Sequence, residues 1–307
     1  MGRDGGHIPR WPLANVYTGC MVGSHGFSFL ADACVKGLKG MDYDAALTMM
    51  VADADAPDGA PGARTGGQNY TALGYVPFES SDVAASLTLA YGFDDWSIAR
   101  LAACLGGQEK IVDRFERRAN SSYKHLWSPD RQLMCPRLAG TGDPAGGKNG
   151  KNGKNGKNGT SSLSCPSEWA SHIPYPLQKR YLEGDAVQYA WFVPGDPRGL
   201  VALFPSPQAF VDKLESFMNK STAWAAPNTI PNPYYWAGNE PGLLAPWLFS
   251  YAGRPDRTAY WTRWLAQHKY TAGPAGVPGN DDFGTMSAWL LFTYMGFYPR
   301  PGTTEYV

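Results

Sequence analysis

Glycine and proline divide this chain of 307 residues into short apolar segments whose hydrophobic residues recur at helical spacing. The stretch FSFLADACVKGLKGMDYDAALTMMVADAD predicts two helices separated near Gly40. The segment from Ser80 and Ser81 to Gly106 and Gly107 has residues typical of the two ends of a single helix. Alternation typical of strands is weak throughout. An all-α fold of paired helices therefore fits the sequence best.

A Gly-Lys-Asn repeat, GGKNGKNGKNGKNGTSS, interrupts this pattern between residues 146 and 162. The repeat has nothing to bury in a core. We predict a flexible low-complexity insert at about 141–164 within one domain of residues 1–307, not a domain boundary. Cys135 and Cys165 flank the insert and could close it as a disulfide in an oxidising compartment.

Charge and composition narrow the classes of function. The 27 basic and 27 acidic residues balance, so neither nucleic acid nor an anionic membrane is an expected partner. No apolar run is long enough to span a membrane. Aromatic residues make up 13% of the chain, with 11 Trp and 17 Tyr, and such rings suit sugar ligands but also fill cores. The first residues lack the apolar region of a signal peptide, whereas four N-x-[ST] sequons favour a secretory origin.

Three acidic positions share one arrangement, a carboxylate beside Gly or Pro at the start of an aromatic-rich helix. They are Glu183 in YLEGDAVQYAW, Glu240 in WAGNEPGLLAPW and the pair Asp281–Asp282 in PGNDDFGTMSAW. Helix N-termini stabilise an acid through unpaired N–H groups, so capping explains each position singly. If the helices form a toroid, however, their starts on one face converge on a pocket. Carboxylates there could divide the acid and base roles of glycoside hydrolysis.

The same segments also bear on metal binding. Asn239 and Glu240 offer the hard oxygen ligands that Ca²⁺ prefers. None of the five histidines sits in a metal-ligand pair, and the five cysteines show no CxxC spacing. The sequence therefore favours calcium over zinc or iron.

These motifs, in this order, resemble glycoside hydrolase family 92, the calcium-dependent exo-acting α-mannosidases. The resemblance is strong at YLEGDAVQYAWFVPGD, GNEPGLLAPWLFSYAGRP and GVPGNDDFGTMSAWLLFTYMGFYP, and weaker at TGCMVGSHGFSFLADACVKG. It extends from about Arg10 to the C-terminus, apart from the insert. It implies an (α/α)6-toroid-like catalytic domain that is incomplete on its N-terminal side. The β-sandwich domain that precedes this domain in the family is absent from the chain, and we expect it in a full-length form.

The resemblance also implies a reaction, the release of mannose with inversion from the non-reducing end of α-mannosides. The expected substrates are α-1,2-linked glycans of the N-glycan type. By motif, Glu183 matches the general acid and Asp282 the general base, with Asp281 as a supporting or alternative base. An inverting mechanism would require the two carboxyl groups to be about 6.5–9.5 Å apart, which leaves room for a water molecule.

Further expectations concern the ligands and the alternatives. Asn239 and Glu240 match the segment tied to Ca²⁺ and to the sugar, and Trp191 is a further candidate for substrate binding. The protein is expected in the secretory pathway or outside the cell. One alternative is a truncated, non-catalytic remnant that binds carbohydrate weakly or has a structural role. Another is a different helical toroid enzyme, such as a polysaccharide lyase, although the motifs lack the usual Tyr, His or Lys base.

Overall fold

The computed structural model describes residues 5–13, 16–139, 181–222 and 234–307, and helices dominate these ranges. In chain order, the helices are α1 (Gly26–Val35), α2 (Tyr43–Asp55), α3 (Gly67–Leu73), α4 (Ala84–Leu105), α5 (Glu109–Leu126), α6 (Ala186–Tyr189), α7 (Pro197–Ala202), α8 (Pro207–Thr222), α9 (Leu248–Tyr251), α10 (Pro255–His268) and α11 (Thr285–Met295). Two short antiparallel pairs are formed by β1 (Pro12–Leu13) with β2 (Val16–Tyr17) and by β3 (Trp127–Ser128) with β4 (Leu133–Met134). The all-α class predicted from the sequence is confirmed.

Helix α4 is the central helix of the first half of the chain. It packs against α1, α2 and α5. Most of its residues are buried, and they include polar side chains such as Thr88 and Asp94 as well as Ala and Leu. Gly92 allows α5 to approach closely, since a Cβ at this position would lie 2.5 Å from the Oγ of Ser122. A larger residue at position 92 would therefore push the two helices apart.

The helix boundaries agree with the sequence in two places and differ in one. Gly40 does separate two helices, and the Asp42 side chain caps α2 by accepting a hydrogen bond from Ala45 N at 3.0 Å. Helix α4 does end where predicted, at Gly106. The predicted cap at its start was wrong, because residues 78–80 form a 3-10 turn and α4 begins at Ala84. The Ser81 hydroxyl instead accepts a hydrogen bond from the N–H of Val83, and Val83 is the residue before the helix.

A disulfide joins the ends of two packed helices. Cys34 in α1 is bonded to Cys104 in α4, 70 residues away in sequence. Cys135 is also disulfide-bonded, but its predicted partner Cys165 lies outside the described residues. The predicted insert at about 141–164 lies outside them as well. Cys20 is a free, exposed thiol.

Buried aromatic rings fill the core of the second half. Trp191, Trp247, Trp261 and Trp289 are among the largest fully buried side chains. The C-terminal segment returns to the first half of the chain, where Pro301 O accepts a hydrogen bond from the Trp96 indole at 3.0 Å. Much of the aromatic excess that suggested sugar binding is therefore core, and the site has to be sought in the loops.

Candidate active site

The loop before α6 presents Glu183 without using it as a helix cap. Asp185 is the cap: its carboxylate accepts hydrogen bonds from the N–H groups of Val187 at 2.8 Å and Gln188 at 3.0 Å. The Gln188 side chain returns to Asp185 N, which completes a capping box. Glu183 lies two residues earlier with φ of +48°, in the left-handed region that non-glycine residues rarely adopt. The capping explanation that the sequence left open therefore belongs to Asp185.

Hydrogen bonds fix the backbone on both sides of Glu183. Leu182 N donates to the Ser86 hydroxyl of α4 at 2.8 Å, and Tyr189 Oη donates to Leu182 O at 2.7 Å. The Asn239 amide donates to Glu183 O at 2.8 Å. Within the described part of the chain, the Glu183 carboxylate itself accepts no hydrogen bond. The backbone of the loop is therefore held at three points, and the carboxylate that it carries is left available.

Two glycines bring the loop of Asn239 and Glu240 against the loop of the paired acids. A Cβ on Gly279 would lie 2.7 Å from Gly238 O, and a Cβ on Gly238 would lie 3.0 Å from Gly279 N. Only glycine at both positions permits this contact between backbones. Glu240 then opens a 3-10 turn, Glu240–Gly242, and is partly buried. The contact explains how acids far apart in sequence come together.

The adjacent acids Asp281 and Asp282 have different surroundings. Asp281 is exposed, and its Oδ1 accepts hydrogen bonds from Ser287 N at 3.0 Å and Ser287 Oγ at 2.7 Å. These bonds lower the pKa of Asp281 and anchor the first turn of α11. Asp282 is partly buried with φ of +49°, and its carboxylate accepts no hydrogen bond from any described residue. Burial and the charge of Asp281 raise the pKa of Asp282. Asp281 therefore stabilises the helix start, whereas Asp282 is available for chemistry.

Glu183, Glu240 and Asp282, which we call the acidic cluster, interact electrostatically. Burial raises the pKa of Glu240 to about 7, and the charges of Asp282 and Glu183 also raise it, while His25 opposes the shift. Burial and the charge of Asp282 raise the pKa of Glu183 as well. Carboxylates that are poorly solvated and repel one another are typical of functional sites, because folding alone gains nothing from them.

Two features of the site were missed from the sequence. His25 interacts with Glu240, but the only sequence signal was its place in the weaker matched segment TGCMVGSHGFSFLADACVKG. Phe283, beside Asp282, is 72% exposed, and its ring meets that of Trp11 edge-on at 5.5 Å. Neither interaction could be inferred from spacing, because each joins distant parts of the chain.

Trp191 does not lie at the acidic cluster surface as a sugar-binding ring would. It is 1% exposed and packs among Phe204, Phe210 and Phe217. No ring face is left to stack on a ligand. The position of Trp191 therefore does not support the predicted contact with substrate, because core side chains surround its ring.

The residues predicted to bind calcium can be compared with the metal-ligand atoms that surround them. In the described ranges, no group of three or more His, Cys, Asp or Glu side chains is arranged to hold a metal ion. Ca²⁺ takes about six to eight oxygen ligands, including amides, backbone carbonyls and water. Asn239 and Glu240 fit the chemistry of a calcium site and would supply part of such a set. The repulsion within the acidic cluster is the kind that a divalent cation relieves.

Carboxyl groups of altered pKa that are brought together at one site are the groups with which glycoside hydrolases perform catalysis. The comparison with known families agrees with this class. The chain belongs to glycosyl hydrolase family 92, since the description of that family's catalytic domain matches residues 1–307.

Solved structures and a curated relative are similar over nearly the whole chain. A family GH92 α-mannosidase from Bacteroides thetaiotaomicron, in complex with mannoimidazole, is 28% identical with a TM-score of 0.80, over 98% of this chain and 37% of its own. A family GH92 inverting mannosidase from the same organism is 28% identical with a TM-score of 0.77, over 99% of this chain and 40% of its own. An uncharacterized secreted glycosidase of Arthroderma benhamiae is 27% identical over 299 residues, 92% of this chain and 36% of its own length. The predicted toroid-like fold class is confirmed, and the chain spans less than half the length of these relatives.

Proposed function

We propose that this chain carries the acid and base of an exo-acting α-mannosidase. The observation that carries the proposal is the acidic cluster: Glu183, Glu240 and Asp282 are partly buried, and their carboxylates accept no hydrogen bonds from described residues. The mannosidases among the structural neighbours support mannosides as the substrate class. The expected α-1,2 linkage and N-glycan origin rest on the family resemblance.

In the proposed reaction, Glu183 and Asp282 have opposite roles. Glu183 donates its proton to the glycosidic oxygen while the bond from that oxygen to C1 breaks. Asp282 accepts a proton from a water molecule, whose oxygen forms the new bond to C1 from the opposite face and so inverts the configuration. The raised pKa of Glu183 suits an acid that must hold its proton, and the negative charge of Asp282 is one of its causes.

The proposed cofactor is Ca²⁺, held in part by Asn239 and Glu240. When bound, the ion would engage sugar hydroxyl groups and favour a distorted ring. Asn239 also fixes the backbone of the acid through its bond to Glu183 O. A change in this loop would therefore alter both the calcium donors and the position of the acid.

The test is mannose release from α-1,2-mannobiose by this chain, with EDTA and after Ca²⁺ is restored. We expect release that EDTA abolishes and Ca²⁺ recovers. Full activity in EDTA would refute the calcium proposal, and no release in the presence of Ca²⁺ would refute hydrolysis by this chain. An α-1,3-linked mannobiose in parallel tests the linkage.

The alternative to hydrolysis is a domain that binds carbohydrate without turnover. Such a domain would bind mannose in calorimetry without releasing it from any mannobiose. Measuring binding and turnover on the same preparation therefore separates the two candidates.

We also propose a location in the secretory pathway or outside the cell. The Cys34–Cys104 disulfide supports an oxidising compartment, and the fungal relative is described as secreted. Among the described residues, no helix has both the length and the apolarity to cross a membrane. Resistance of the disulfide to alkylation in a freshly prepared, unreduced lysate would support this location, and a free Cys34 would contradict it.

A further inference from the structure

His25 lies beside the acidic cluster on a rigid support. Its Nδ1 is 3.4 Å from Oδ1 of Asp94, a carboxylate of α4 whose side chain is 1% exposed. The other oxygen of Asp94 accepts a hydrogen bond from Ser24 N at 2.8 Å, which fixes the carboxylate against the segment that carries His25. A buried carboxylate held in this way orients an imidazole ring.

The walls around the ring leave little freedom of movement. Phe93 and Phe192 contact it at centroid distances of 5.7 and 6.4 Å. On a third side lies Gly23, where a Cβ would be only 2.7 Å from Cε1 of His25. Gly23 also has φ of +74°, so two separate features require glycine there.

The supported ring belongs to the same site as the acid and the calcium residues. Phe192 also contacts Tyr189 at 6.2 Å, and the Tyr189 hydroxyl bonds to Leu182 O, next to Glu183. The charge of His25 acts on Glu240. The imidazole side chain is nevertheless 44% exposed, and its Nε2 forms no hydrogen bond to any described residue.

We propose that His25, oriented by Asp94, is a sugar-binding residue of this site and that its Nε2 hydrogen-bonds a hydroxyl group of the bound pyranose. The inference rests on the proposed function, because it assumes that the acidic cluster binds a mannoside. A sugar hydroxyl both donates and accepts, so it can bind Nε2 in either protonation state of the ring. Asp94 is a positioning residue, since it acts through His25.

The experiment measures mannoimidazole affinity by titration calorimetry, together with KM and kcat for α-1,2-mannobiose. We expect His25→Ala to weaken binding about tenfold, the effect of losing one hydrogen bond to the sugar. His25→Gln, which keeps a donor and an acceptor, should recover part of the affinity. Asp94→Asn should fall between wild type and His25→Ala, because it loosens the ring without removing it. The control His268→Ala removes an exposed histidine of α10 and should leave affinity unchanged.

The outcomes separate this inference from the proposed hydrolysis. Affinity and KM of His25→Ala within twofold of wild type would overturn the role of His25, even if the wild-type chain releases mannose. Absence of mannoimidazole binding by the wild-type chain would also overturn it. Wild-type binding without mannose release would instead refute hydrolysis, and the ratio of affinities would still decide the role of His25. Thermal melting of each variant, with His25→Gln as the conservative case, identifies any loss that comes from unfolding.

Discussion

Asp281→Asn and Asp282→Asn make the same chemical change at adjacent residues, and we expect opposite effects on stability. Hydrogen bonds from Ser287 lower the pKa of Asp281 below its ordinary value of 3.8. Its ionised form therefore stabilises the fold above that pH, and this contribution is lost as the pH falls through the folded-state pKa. The pKa of Asp282 is raised above 3.8, chiefly by burial. Its ionised form therefore costs stability once the pH rises through the folded-state pKa.

The expected magnitudes follow from the contacts. Asp281 acts as an exposed helix anchor, and Asn would keep one acceptor oxygen, so its loss should be about 0.5 kcal/mol. Asp282 is only partly buried, and after allowance for solvent screening its neutralisation should gain about 0.5–1 kcal/mol. Asn tolerates the left-handed backbone at position 282. For a chain of this size, the two melting temperatures should therefore differ by roughly 2 °C at pH 7.

The assay is thermal unfolding followed by circular dichroism, in EDTA so that no metal binds Asp282 or its neighbours. A second series near pH 3, where Asp282 is protonated, should bring Asp282→Asn close to wild type. Asp130→Asn, an exposed carboxylate between β3 and β4, is the matched control and should change stability by less than about 0.5 kcal/mol. Shifts of the same sign for both variants at pH 7 would refute the division of roles between the paired acids.

Three further outcomes are expected. Glu183→Gln should lower the rate of mannose release by about 10²–10⁴-fold with little change in melting temperature, and a rate within tenfold of wild type would exclude it as the acid. Replacing both Cys34 and Cys104 by Ser should cost about 4 kcal/mol in urea unfolding, because the bond closes a loop of about 70 residues, and a loss below about 1 kcal/mol would contradict this estimate. Gly238→Ala should lower kcat/KM for mannobiose more than it lowers stability, since it separates the two loops that carry Glu240 and Asp282; a fully active variant would show that this contact is dispensable.

The sequence predicted the parts of the fold that depend on local periodicity. Helical spacing located α1 and α2, and Gly106 marked the end of α4. The Ser80–Ser81 cap was wrong because residues 78–80 turn in a 3-10 conformation, which spacing does not distinguish from the start of a helix. Trp191 illustrates a second limit. Sequence alone does not show whether an aromatic residue beside a motif packs its ring in the core or presents it to a ligand.

The site was predicted as a set of residues but not as an arrangement. Sequence spacing could not show that Asp185, and not Glu183, caps α6. The choice depends on the backbone conformation, which is extended at Asp185 and left-handed at Glu183. Nor could it show that His25 meets Asp94 of α4, a contact between distant segments. Resemblance supplied the roles of Glu183 and Asp282, and only the fold shows what surrounds them.

The backbone at the two proposed catalytic carboxylates supports chemistry over capping. Glu183 and Asp282 both adopt positive φ, near +48° and +49°, at a cost on the order of 1–3 kcal/mol each for a non-glycine residue. Glycine would remove that cost, and neither carboxylate offsets it with a hydrogen bond to a described residue. Instead, their backbone carbonyls are held, one by the Asn239 amide at 2.8 Å and the other by the Thr285 hydroxyl at 2.6 Å. A helix cap needs none of this, as Asp185 and Asp281 demonstrate with ordinary hydrogen bonds. A poorly solvated acid of raised pKa is instead what general acid–base catalysis uses.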